Sequence, residues 1–140
     1  MTRAQASPPP APDGKVRWTV DAMNVVGSRP DGWWRDREGA VRRLHAALGD
    51  FLVGRGEEVV LVLDGPVPGL RERSPAGLTV VAAPRPRPNA ADDEIVRLVA
   101  ADPEPARLRV VTSDAALAER VRRLGASVEG AGTFRRRLGI

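Results

Sequence analysis

The chain has no cysteine. It therefore forms no disulfide, no iron–sulfur cluster and no thiolate zinc site, and a reducing compartment suits it. Histidine is almost as scarce: His45 is the only one, which excludes multi-histidine zinc sites and argues against a Ser-His-Asp triad. Any metal would have to be held by oxygen. Lysine is represented by Lys15 alone, so the net charge of +4 is carried almost wholly by arginine. Arginine is the better residue for bidentate phosphate contacts and stacking, although an Arg-, Ala-, Gly- and Pro-rich composition is also what a GC-rich genome produces. No stretch approaches the length of a transmembrane helix. Residues 1–14, MTRAQASPPPAPDG, are Pro-rich and carry no hydrophobic run, so they read as an unfolded tail rather than a signal peptide. The expected protein is soluble and cytoplasmic, with no membrane partner. Neither a G-x-x-x-x-G-K-[ST] loop nor a G-x-G-x-x-G turn is present, which removes support for nucleoside-triphosphate and dinucleotide folds.

What remains is a length of 140 residues, enough for one domain with a real core, expected over 15–140. From Val16 onward, strand-like and helix-like segments alternate. VRWTVD (16–21), EVVLVLDG (58–65), LTVVAA (78–83), LRVVTSD (108–114) and the short ASVEG (126–130) read as strands. Between them, Val41, Leu44, Leu48 and Leu52 form one apolar stripe over 37–53. Asn89 offers an N-cap to a helix bearing Ile95, Leu98 and Val99. A third helix carries Leu117, Val121 and Leu124 and ends at Gly125, and a basic turn, TFRRRL, finishes the chain. Such alternation implies right-handed crossovers and a mostly parallel sheet between two helical layers, a three-layer α/β/α domain.

Asp21, Asp64 and Asp114 each fall at or just past the carboxyl end of a predicted strand, the edge where ligands bind in open parallel sheets. Asp92 and Asp93 occupy the first turn of a helix that starts near the same edge. Singly, each has a structural use: favouring the helix dipole, starting a helix, forming a turn. Together, five carboxylates on one rim repel one another unless a cation intervenes, and Mg²⁺ or Mn²⁺ is the kind that carboxylate oxygens hold. Two rival uses of strand-end aspartates fail on particular residues. A phosphoacceptor domain would want a lysine on a late strand, but Lys15 precedes the first. A haloacid-dehalogenase-type phosphatase would want an acid two residues after Asp21, where Met23 stands.

The blocks VDAMNVVGS, VVLVLDGP, NAADDEIVRLV and VVTSDAALAERVRRLGA, ending in TFRRRL, resemble the NYN domains of the PIN-like superfamily, in particular the bacterial YacP-like group. The resemblance runs from about Arg17 to Leu138. It implies a PIN-like fold and a divalent-metal-dependent ribonuclease that leaves 5′-phosphate and 3′-hydroxyl ends. By position, Asp21, Asp92 and Asp114 would be metal ligands and Asp93 a further catalytic acid, with Asn24, Asp64, Thr112 and Ser113 in support. The group's usual Asp-Gly-x-Asn opening reads Asp-Ala-Met-Asn here, with Ala22 for glycine. A position requiring φ > 0 would strain that alanine.

The segment GSRPDGWWRDRE leaves the same edge. Arg29, Arg35 and Arg37 are placed to meet phosphates, with Trp34 stacking on an unpaired base and Trp33 packed under the following helix. RNA, single-stranded or exposed in a larger ribonucleoprotein, is the expected partner, and the chain is expected as a monomer or weak homodimer. A non-catalytic RNA-binding module and a toxin-like interaction domain on the same fold stay open. His45 reads as a structural or surface residue, the RPRP at 85–88 as a rigid extended connector open to phosphate contacts, and Arg135, Arg136 and Arg137 either as backbone contacts to RNA or as a solvated basic end.

Overall fold

The computed structural model describes residues 15–84 and 89–140. The Pro-rich segment 1–14 and the connector 85–88 lie outside the described residues. Five strands, β1 (Arg17–Asp21), β2 (Glu58–Leu63), β3 (Leu78–Ala82), β4 (Leu108–Val111) and β5 (Ser127–Glu129), form one sheet in the order β3-β2-β1-β4-β5, every pair parallel. The near-continuous apolar runs are explained by burial on both faces. In β2, Val59, Leu61 and Leu63 enter one core while Val60 and Val62 enter the other. The first core is closed by α1 (Ala22–Val26), α2 (Arg37–Leu52) and α5 (Ala131–Leu138). The second is closed by α3 (Ala90–Ala101) and α4 (Ala115–Arg123). This is the three-layer α/β arrangement that the alternation predicts.

Four local features differ from the sequence expectations. Residues 22–26 coil into α1 directly after β1, burying Ala22, Val25 and Val26. The terminal basic turn is the end of a longer helix, α5, anchored by fully buried Phe134 against Trp18 (ring centroids 5.1 Å) and Phe51 (5.6 Å). α4 stops at Arg123, so Leu124 leaves the stripe of Leu117 and Val121 and is exposed, with Gly125 beyond it at φ +102°. Asn89 does occupy the N-cap position of α3, but its backbone is left-handed (φ 61°) and its side chain makes no capping hydrogen bond. Asparagine adopts that region more readily than most residues.

β1 is the central strand, and the direction of strand order reverses between β1 and β4. Its amino end is tied down by Arg17, whose guanidinium donates to both carboxylate oxygens of Asp102 at the end of α3 (2.6 and 2.8 Å). Its carboxyl end delivers Asp21 to the reversal point. Among the described residues, Asn89 is the only non-glycine with positive φ, so Ala22, fully buried at the start of α1, is unstrained. Ala22→Gly is therefore expected to lower stability by about 1 kcal/mol, read as a lower urea midpoint, because glycine costs backbone entropy in a helix. A gain in stability would show that the alanine is held under strain.

Candidate active site

Asp21 is the last residue of β1 and is only 5% exposed. Its Oδ2 accepts a hydrogen bond from the Thr112 hydroxyl (3.2 Å), which in turn accepts from the Asp114 amide (3.1 Å). Asp114 caps α4, its Oδ1 accepting from the Leu117 amide (3.0 Å). The β4–α4 turn is fixed from two further directions. The Ser113 amide donates to Asn24 Oδ1 (2.7 Å), and the Ser113 hydroxyl accepts from the Ala131 amide at the start of α5 (2.8 Å). Thus Asn24, Thr112 and Ser113 hold β1, α1, β4 and α5 in one register around Asp21.

The electrostatics follow from this placement. Burial raises the Asp21 carboxyl to about 6; the charges of Asp92 and Asp114 add to the rise and the Thr112 hydroxyl opposes it. Burial raises half-buried Asp92 as well; Asp114 and Asp93 push it further up and Arg120 pulls it down. Asp93 pairs with Arg120 across from α4 (3.4 Å). The structure therefore brings Asp21, Asp92 and Asp114 into mutual repulsion, with Asp93 at their margin. Among the described residues, no three acidic or histidine side chains converge closely enough to grip an ion as they stand. The donor set is nevertheless all oxygen, and like-charged carboxylates at one point favour a hard cation.

Asp64 stands just past the carboxyl end of β2, on the same edge of the sheet. It is half-exposed and accepts from Arg37 (3.0 Å), whose guanidinium also lies over the Trp33 ring at 5.9 Å. Arg37 is thus engaged within the protein. The tryptophans separate: Trp33 is half-buried, with its ring 3.5 Å from where a Cβ on Gly27 would stand, whereas Trp34 is 52% exposed with Arg35 over it at 5.9 Å. Arg29 is exposed at the start of the same segment. An open groove of about 430 Å³ is lined by Met23, Asn24, Gly27, Ser28, Ser113 and Gly132. His45 is buried, hydrogen-bonded to the Ser74 hydroxyl (2.9 Å). Two functional-edge residues carried no sequence signal: Arg120, whose partner is on another helix, and Gly132, which lines the groove only because α5 begins there.

The fold is shared with Rae1 (YacP) from Bacillus subtilis. One crystal structure of that protein superposes with a TM-score of 0.69 at 22% identity, covering 88% of this chain and 73% of that one. A point variant of the same protein gives 0.70 at 21% identity, covering 89% and 75%. At such identity the likeness establishes the fold. No protein-family model matches the chain, and no curated protein matches it. Among the described residues, no helix is long and apolar enough to cross a membrane.

The raised Asp21 carboxyl has a thermodynamic consequence. Its folded pKa, about 6, lies above the ordinary 3.8, so the folded chain binds this proton more tightly than the unfolded one. The resulting stabilisation is complete below about pH 4 and is lost as pH rises through 6, an amount of roughly 3 kcal/mol. With a chelator present, Asp21→Asn should raise the urea midpoint at pH 7.5 and flatten its dependence on pH between 4 and 7 relative to wild type. A lower midpoint at pH 7.5 would make Asp21 a structural residue instead.

Proposed function

We propose that the chain is a divalent-metal-dependent ribonuclease that hydrolyses RNA phosphodiester bonds with water as the nucleophile. The observation that carries this reading is the buried Asp21 carboxylate at the sheet's reversal point, set against Asp92 and Asp114 with no guanidinium among the groups acting most on it. Asp21, Asp92 and Asp114 are the residues that would hold Mg²⁺ or Mn²⁺. When bound, the cation neutralises charge on the scissile phosphate and lowers the pKa of a coordinated water. The chain's own groups do the rest. Thr112 orients Asp21 and anchors the turn that presents Asp114. Asn24 fixes the same turn through Ser113. Arg120 limits repulsion at Asp92 and Asp93 without entering the Asp21 pocket.

RNA would approach along the groove beside Asn24 and Ser113. Trp34 offers a stacking face, and Arg35 and Arg29 offer cations beside it. A single strand suits such a surface, since every base has a face to stack and every linkage a phosphate. The open spacing of the three acids favours one second reading, an RNA-binding module that does not cleave.

Cleavage distinguishes the two. Labelled single-stranded RNA should be cut in Mg²⁺ or Mn²⁺ and left intact in chelator. Asp21→Asn and Asp114→Asn should each lower the rate about a thousandfold, the equivalent of several kcal/mol of charge stabilisation, while Asp64→Asn stays near wild type. Binding without cleavage under all metals would establish the second reading.

The two tryptophans give a separate check. Short oligouridine should quench wild-type fluorescence and quench Trp33→Phe similarly, with little quenching left in Trp34→Phe. Trp34→Ala should cost about 1–3 kcal/mol of affinity. Unchanged fluorescence at saturating RNA would remove this segment from the binding surface.

A further inference from the structure

The run Arg135-Arg136-Arg137 has no part in the function just proposed, and its three members turn out to differ. Arg137 is held by both oxygens of Glu129 (2.7 and 3.0 Å), and Arg136 donates to the Thr133 hydroxyl (3.2 Å). Arg135 turns inward: its side chain is 12% exposed. We propose that Arg135 is a positioning residue that locks the turn at residues 31–35 in the conformation presenting Trp34 and Arg35 to RNA. The mechanics of this lock stand on geometry alone; its consequence for affinity rests on the RNA-binding reading above.

Arg135 reaches three pieces of backbone and one carboxylate at once. Nη1 donates to the carbonyls of Val25 and Val26 (3.3 and 3.1 Å), which end α1; Val25 also accepts from the Ser28 amide and hydroxyl (3.2 and 2.7 Å). Nε donates to the Ile140 carbonyl (3.2 Å), closing the end of α5. Nη2 donates to Asp31 Oδ2 (2.6 Å). The other Asp31 oxygen accepts from the Trp33 amide (3.1 Å). A continuous chain of polar contacts therefore runs from α5 through Asp31 to the turn.

The turn has reason to need it. Gly32 sits at φ +87° with nothing within 4 Å of its Cβ position, so sterics at that residue hold nothing in place. Downstream, Asp36 is fixed as the cap of α2 through the Gly39 amide (2.9 Å). Upstream, Asp31 is the fixed point, and Arg135 is what fixes it, holding the Asp31 carboxyl below its ordinary range through their hydrogen bond. Trp33 then packs against Gly27 and the first core, which leaves Trp34 to project outward. An ordered turn binds without first having to freeze its side chains, and two such side chains account for about a tenfold difference in affinity. Lysine cannot replace this arginine fully, because a single ammonium lacks the planar fork that spans the α1 carbonyls and Asp31 together.

The test uses full-length Arg135→Met, Asp31→Asn, the double variant and Arg135→Lys, with fluorescein-labelled oligouridine as probe and amide hydrogen exchange without RNA as a second readout. A lock predicts that Arg135→Met and Asp31→Asn each weaken binding about tenfold, and that the double variant is no worse than either. The Trp33 amide should exchange faster in both single variants, while the amides of β1 and β4 keep their protection. Arg135→Lys should recover part of the affinity, which covers the case in which Arg135→Met does not fold. If Arg135 instead touched phosphate directly, Asp31→Asn would strengthen binding by removing a nearby anion, and opposite signs in the two variants would overturn the proposal. Unaltered Trp33 exchange would overturn it too. Wild-type protein that binds no RNA, yet shows Arg135-dependent protection at Trp33, would sink the RNA reading while supporting the lock.

Discussion

A carboxylate held out of water is the constraint around which this molecule is arranged. Asp21 ends the middle strand of the sheet, so it has strands on both sides and helical layers above and below. Burying an ionised acid there is costly unless it is hydrogen-bonded or neutralised. The chain is rich in arginine, yet the groups acting most strongly on Asp21 include two carboxylates and a hydroxyl but no guanidinium. An ordinary structural acid would have been given a cation, as Asp102 was given Arg17. The missing counter-charge is itself the most informative feature of the fold.

The arginines are occupied elsewhere. Asp64, Glu38, Glu94, Glu119 and Glu129 each hold one in a close pair. Trp18 lies against Arg109 and against the same Arg137 that Glu129 holds, each 5.4 Å from its ring centre. A net charge of +4 therefore does not spread evenly over the surface. Arg29 and Arg35 stay exposed in the loop segment after α1, whereas Arg120 pairs with Asp93 and no guanidinium stands among the groups acting most on Asp21.

Sequence alone made the sheet legible, because strands buried on both faces announce themselves as unbroken apolar runs and parallel connectivity then decides which ends share an edge. That logic put Asp21, Asp92 and Asp114 on one rim, and in the structure their charges act on one another. It placed Asp64 at the end of β2 on the same edge, where it stands, but gave no sign of its pairing with Arg37. Asp64 and Arg37 are 27 residues apart, and a pairing between separate elements leaves no periodic mark. α1 escaped notice because Ala22, Val25 and Val26 span little more than one turn, too short for a helical stripe to show. α5 was hidden by its own charges: only Phe134 among its arginines and small residues reveals that one face is deep in the core. The three arginines after it look alike in sequence, and only their neighbours distinguish a buried tie from an exposed cation.

The sheet order has a consequence in time as well as in space. β1 is made early, but one of its two neighbours, β4, comes late, and the Thr112 hydroxyl that meets Asp21 lies 91 residues farther along the chain. Contacts between segments so far apart form slowly, and during synthesis they wait for the later segment to emerge. A nascent chain that stops short of β4 can pair β1 with β2 and β3, yet it carries Asp21 without Thr112, without Asp114 and without the turn that Asn24 braces. The acidic cluster is thus assembled only after β4 and the turn into α4 have followed β1, β2 and β3. If the chain has the function proposed above, the order of synthesis keeps its site incomplete until Thr112 and Asp114 have been made.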